Sequence, residues 1–93
     1  MPQKYKPTYV YSLNLKGGKK YVGLTQNPTK RFNDHFNGNG AEFTKKNKPT
    51  SVNHIQLCKS YNSAKKVEKI VYEKMRDYHG ANKVRGAYNT KSI

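Results

Sequence analysis

The chain is expected to fold as an α/β protein, a small sandwich with a central three-stranded antiparallel sheet flanked by helices. Three observations predict this. Tyr9 to Leu15 and Lys20 to Thr25 each alternate large and polar residues, the period of a half-buried strand, and they flank Lys16-Gly17-Gly18-Lys19. A third alternating stretch runs from Ser51 to Lys59. From Asn62 to His79 the apolar spacing changes to that of a helix.

Residues 1–8, with two prolines and two lysines, read as an extended basic lead-in, and residues 9–93 as a single domain. The Gly17-Gly18 pair can supply the positive φ angles of a two-residue hairpin turn. Asn27-Pro28 opens the first helix, because Asn can cap the free amides and Pro is tolerated at the first helical position. In that helix Phe32 and Phe36 are expected to face the core, with Arg31 and His35 sharing the adjoining face. Asn37-Gly38-Asn39-Gly40 breaks it, and a turn is the simplest role for these glycines. Ala41 to Lys48 is a short helix stopped before Pro49. In the third strand Val52, His54, Gln56 and Cys58 share one face, and Asn53, Ile55 and Leu57 the other.

The long helix can be capped by Asn62 or Ser63 and ended by Gly80. Its apolar stripe is Ala64, Val67, Val71, Met75 and Tyr78. The wheel separates two glutamates, with Glu68 about 40° from Ala64 and Glu73 about 180° away, facing water. The remaining tail adds a last turn or a short strand.

Composition narrows the partner. Lys and Arg number 19 against 5 acids, a formal charge of +14. Charge of that size on so small a domain points to a polyanion, and nucleic acid is the commonest. Aliphatic residues are scarce enough to raise the question of disorder. Charge spread along the chain and eight tyrosines argue for a folded domain with a modest core. A single cysteine, Cys58, excludes an internal disulfide and a cysteine-based zinc site, and reads as a small buried hydrophobe. With no bilayer-spanning run and no apolar leader after Met1, the chain is expected to be intracellular, not secreted, and independent of membranes. Monomer and homodimer are equally compatible with the sequence.

Tyr9-Val10-Tyr11, then Tyr21-Val22-Gly23, then Arg31 resemble the GIY-YIG nuclease family, with Tyr9 in place of the first Gly and Val in place of both Ile. Gly40-Ala41, Thr44 and Pro49 resemble its compact branch, and Gly86, Tyr88 and Asn89 its closing segment. The resemblance implies a metal-dependent DNA endonuclease with functional residues Tyr11, Tyr21, Arg31, His35, Glu68 and Asn89.

The residues themselves suit that chemistry. Phosphodiester hydrolysis needs a deprotonated water, charge neutralised on the phosphate and a stabilised leaving oxygen. Glu68 can hold a single Mg²⁺ or Mn²⁺, since hard ions take carboxylate oxygens. Arg31 offers a planar fork for phosphate. Tyr11, Tyr21 and His35 are candidates for moving protons, and which tyrosine serves as base stays open. Lys45, Lys46, Lys48 and Arg85 are expected to contact duplex or branched DNA. The expected activity is cleavage with low sequence specificity or with structure selectivity. The alternative is a non-catalytic basic nucleic-acid-binding module on the same scaffold.

Overall fold

Strands β1 (Thr8–Leu15) and β2 (Lys20–Thr25) form the expected hairpin in the computed structural model, which describes residues 6–86. Both turn glycines take positive φ, 83° at Gly17 and 74° at Gly18, which side chains with a Cβ rarely adopt. The turn is nevertheless one residue longer than expected. Asn14 pairs with Lys20 and Leu13 with Tyr21, and the Leu15 amide donates to the Lys19 carbonyl at 2.8 Å. Lys16, Gly17 and Gly18 therefore round the corner together.

That extra residue sets which side chains share a face, because a one-residue slip moves a whole strand's side chains to the other side. In the observed register Tyr11 opposes Gly23 and Leu13 opposes Tyr21. Tyr11 and Tyr21 consequently lie on one face. A two-residue turn would have placed them on opposite faces.

Strand β3 (Pro49–Cys58) pairs antiparallel with the other side of β1. Its simple alternation fails in the middle. Ser12 opposes His54 but Leu13 opposes Val52, so Asn53 is an extra residue in a bulge. Val52 therefore joins Ile55 and Leu57 opposite Leu13, Tyr11 and Tyr9, instead of siding with His54 and Gln56. As an edge strand β3 is exposed from Thr50 to Leu57.

The sheet has four strands rather than three. The short β4 (Val84–Gly86) adds parallel to β2, giving the order β3-β1-β2-β4. A Cβ on Gly86 would run into the Val22 carbonyl, so glycine permits this approach. A strand of three residues is too short to leave a readable alternation.

Helix α1 (Pro28–Phe36) starts as expected, with the Asn27 side chain accepting from the Lys30 amide at 3.2 Å. Its buried face differs from the expected one. His35 is fully buried, Phe32 packs partly against the core, and Phe36 is exposed. Helix α2 (Glu42–Lys46) is short and places Phe43 and Thr44 inward. Helix α3 (Tyr61–His79) is capped by Ser60, not Asn62 or Ser63, with its hydroxyl accepting from the Ser63 amide at 3.2 Å. It ends at Gly80, φ 95°. Tyr78, expected in the apolar stripe, is 85% exposed. Tyr72 is buried instead, in one row with Ala64 and Glu68 at four-residue spacing.

The two faces of the sheet carry separate cores. Tyr11, Leu13, Leu15 and Tyr21 pack with Phe43, Phe32 and Ala41 from the α1–α2 side. Val10, Val22, Cys58 and Val84 pack with Ala64, Val67, Val71, Tyr72 and Met75 around α3. Burial of each aliphatic or aromatic side chain stabilises by about 1.5–3 kcal/mol. Cys58 is a small packing residue, as expected. Among the described residues, no helix is long and apolar enough to cross a membrane.

Candidate active site

Five of the six residues singled out in the sequence converge. Tyr11 comes from the middle of β1, Tyr21 from β2, Arg31 and His35 from successive turns of α1, and Glu68 from α3. The sixth, Asn89, lies outside the described residues.

The hairpin register and α1 bring three rings together. The Tyr11 and Tyr21 ring centroids are 6.4 Å apart, and the His35 ring is 5.7 Å from Tyr11 and 5.2 Å from Tyr21. Phe32 meets Tyr11 edge-on at 5.2 Å and backs the cluster. The Tyr11 oxygen lies 2.7 Å from His35 Nε2. On the other side of the ring, His35 Nδ1 lies 3.0 Å from Thr44 Oγ1, which in turn donates to the Ala41 carbonyl at 2.7 Å. A fully buried imidazole is thus hydrogen-bonded at both nitrogens, which makes its burial affordable. The Arg31 guanidinium is close enough to act electrostatically on both phenols.

Two glycines make the cluster possible. A Cβ on Gly23 would sit 2.6 Å from the Tyr11 hydroxyl. A Cβ on Gly40 would collide with His35 Nδ1. Neither residue has a positive φ, so each is required by space rather than by conformation. Both glycines belong to the motifs that carry the family resemblance, but the turn expected at Gly40 gives no hint of its contact with His35, and strand alternation gives none of the bare position opposite Tyr11. Counting the hairpin register through a three-residue turn would have found Gly23.

Burial dominates the electrostatics. It pushes the Tyr11 phenol well above its ordinary range, assisted by Tyr21 and opposed by Arg31. Burial raises Tyr21 as well, again opposed by Arg31. For Arg31 burial acts to lower the pKa, but its interactions with the Tyr11 and Tyr21 phenols outweigh it and the net direction is upward. His35 is lowered to about 4 by burial and by the nearby Arg31 charge, so its ring is neutral at pH 7. Glu68 is raised to about 7 by burial, with Lys65 pulling the other way.

Glu68 stands out in another respect. It is 2% exposed, and its Oε2 is buried with no hydrogen-bond partner. Its charge also acts on both Tyr11 and Tyr21. A buried carboxylate oxygen without a donor suits a cation. Among the described residues no three His, Cys, Asp or Glu side chains cluster. A metal here would have a single protein carboxylate and otherwise water or substrate oxygens, the coordination Mg²⁺ tolerates well. Glu73, five residues along, is half-buried rather than fully exposed.

The expected nucleic-acid contacts divide. Lys45, Lys46 and Lys48 are exposed. Lys45 and Lys48 line a cleft of about 210 Å³ that reaches His35 and Thr44, so they adjoin the cluster. Arg85 does not present its charge to solvent. It is 7% exposed, and its guanidinium donates to the Ala81 carbonyl at 2.5 Å and the Val84 carbonyl at 2.8 Å. A guanidinium committed to backbone carbonyls holds the α3–β4 connection together.

Comparison with known proteins identifies the family. A family profile described as the GIY-YIG catalytic domain matches residues 7–83. A UPF0213 protein of Fusobacterium nucleatum is 32% identical over 60 residues, 64% of this chain and 60% of that protein. A UPF0213 protein of Xanthomonas campestris is 38% identical over 47 residues, 50% of this chain and 46% of the relative. One of Cupriavidus pinatubonensis is 41% identical over 44 residues, 47% and 49% respectively. The chain thus aligns with about half to 60% of the length of these relatives. No solved structure matches.

Proposed function

The chain belongs to the GIY-YIG family of catalytic domains, and from that membership we propose that it is an endonuclease that hydrolyses DNA phosphodiester bonds with the help of one divalent ion. The observation that carries the reading is Glu68: buried, lacking a partner at Oε2, and within electrostatic reach of the Tyr11–Tyr21 pair. With so few acids in the chain, a carboxylate kept in that position suits the holding of Mg²⁺ or Mn²⁺. When bound, the ion supplies charge stabilisation to the phosphate and the leaving oxygen.

The chain's own residues divide the rest of the work. Arg31, beside both phenols, presents a planar fork to phosphate oxygens. Tyr11 takes the proton of the attacking water. A phenol held well above its ordinary pKa is a neutral hydroxyl at rest, so it can accept that proton only while passing its own to a neighbour. Neutral His35, 2.7 Å away, is the acceptor at hand. Tyr21, sharing Arg31 with Tyr11, orients the water or the phosphate. Lys45, Lys46 and Lys48 hold the flanking backbone. Selectivity for DNA structure, or weakly for sequence, and a site of action inside the cell are part of the same proposal.

The test is incubation of supercoiled plasmid, then of duplex, flap, branched and single-stranded substrates, with and without Mg²⁺ or Mn²⁺. Metal-dependent nicking supports the endonuclease. Tight binding to the same substrates with no cleavage under any metal establishes the basic binding module instead.

A further inference from the structure

We infer that Thr44 is a positioning residue: it fixes the tautomer of His35 so that Nε2 is left bare toward Tyr11, ready to accept the phenolic proton. The inference rests on the nuclease reading for its purpose, though not for its geometry.

The Thr44 hydroxyl and the Ala41 carbonyl oxygen are 2.7 Å apart. Two oxygens at that separation require a hydrogen between them. A carbonyl has none to give, so the single hydroxyl hydrogen of Thr44 is spent there. Thr44 Oγ1 can then only accept from its other neighbour, His35 Nδ1 at 3.0 Å. Nδ1 must therefore carry the proton. In a neutral imidazole the second nitrogen is then bare. The contact of 2.7 Å between Nε2 and the Tyr11 oxygen also needs a hydrogen, and only the phenol can supply it. The chain reads Tyr11 O–H to His35 Nε2, His35 Nδ1–H to Thr44 Oγ1, Thr44 O–H to the Ala41 carbonyl.

The direction has a consequence at the phenol. With its hydrogen turned to His35, the Tyr11 oxygen keeps its lone pairs for Arg31 and for a water. When the water attacks, its O–H bond breaks and that proton goes to the Tyr11 oxygen. The original phenolic proton moves to Nε2, leaving a transient imidazolium. After the phosphate–oxygen bond to the leaving group has broken, Nε2 gives its proton back to the Tyr11 oxygen as that oxygen releases the water's proton to solvent, and the leaving alkoxide takes one proton from solvent. The opposite tautomer would aim an N–H at Tyr11 and leave the phenol with nowhere to send its proton. Local geometry keeps the ring in place. Thr44 is 1% exposed, His35 is wholly buried, and a Cβ on Gly40 would collide with Nδ1. Helix α2, only five residues long, thus carries the residue that orients the base on α1.

The tautomer can be read directly, in the full chain and without substrate, from the ¹⁵N signals of the His35 ring at neutral pH. Wild type should show a protonated Nδ1 and a bare Nε2. Thr44→Ser should show the same pattern and retain cleavage within a few-fold. Thr44→Val, which keeps the shape but loses the acceptor, should shift the proton to Nε2. Its metal-dependent cleavage should fall by about 10²-fold, the lower end of what a correctly poised proton acceptor supplies. A wild-type ring protonated at Nε2, or an unchanged tautomer in a folded Thr44→Val, overturns the inference. So does full activity in Thr44→Val. Should Thr44→Val not fold, the wild-type tautomer and the Thr44→Ser rescue still decide the matter. A protein with the expected tautomer and no cleavage of any substrate would overturn the nuclease reading rather than the hydrogen count.

Discussion

Replacing Glu68 by Gln should make the metal-free protein more stable at alkaline pH, not less. The carboxyl is 2% exposed, has an unpartnered Oε2 and is raised to about 7. A group whose folded pKa is raised contributes stability that is fully present below its unfolded value, about 4.5, and is lost as pH rises through about 7. The gap between those values corresponds to about 3 kcal/mol against the folded state once Glu68 is ionised. Gln cannot ionise, so it escapes that loss. It brings an amide whose N–H groups lack partners, which costs about 1–3 kcal/mol at any pH. The variant should therefore be slightly less stable than wild type at pH 5 and should gain on it by about 3 kcal/mol by pH 8. For a domain of this size that is a relative change of roughly 12–24 °C in Tm. His35 titrates lower, near 4, and is present in both proteins, so it drops out of the difference. The assay is thermal melting from pH 5 to 8 in chelator, then with a Mg²⁺ or Mn²⁺ series. Metal should raise the wild-type Tm at pH 8 and leave Glu68→Gln where it was, and cleavage by the variant should be abolished. Glu73→Gln is the control, with cleavage near the starting level and a cost of a few tenths of a kcal/mol. A stability difference that does not change with pH, or a metal effect shared by both proteins, would refute the reasoning.

Arg31→Ala should lower turnover by about 10²-fold or more while DNA binding changes little, because many other cations remain; equal losses in binding and turnover, measured side by side, would make Arg31 an ordinary phosphate contact. Gly23→Ala places a methyl 2.6 Å from the Tyr11 hydroxyl, so the ring must shift. Denaturant melts should show a loss of about 1–3 kcal/mol, and cleavage should fall well beyond what that loss explains. Nucleic-acid affinity should fall steeply with salt, with a slope near −0.9 in log K against log salt for each phosphate contact on duplex DNA. A titration between low and physiological salt checks this, and a flat response would mean that the +14 charge serves something else.

Much of this protein was determined by local sequence. The Gly17-Gly18 pair, the Asn27 cap followed by Pro28 and the Gly80 stop act within a few residues of themselves, and each appears where expected. The helix wheel also carried Glu68 to a buried position, since four-residue spacing from Ala64 is a property of the helix alone. What only the tertiary structure decided depends on partners far apart in the chain. The hairpin turned on three residues instead of two, and pairing along the whole of β1 and β2 chose that register. This put Tyr11 and Tyr21 on one face and Gly23 under the Tyr11 hydroxyl. Helix periodicity gave no reason to bury His35 in place of Phe36. An imidazole is costly to bury until both nitrogens are satisfied, and the groups that satisfy them, Tyr11 and Thr44, come from β1 and α2. Arg85 shows the converse. A basic residue in a basic chain reads as surface, yet Arg85 is buried with its Nη1 donating to two nearby backbone carbonyls. Strand β4 left no pattern because three residues cannot alternate, and it formed because α3 delivered it beside β2 at a glycine. Spacing along the chain chose the elements. Hydrogen-bond partners from other elements chose which polar groups went inside, and it is those buried polar groups that make up the site.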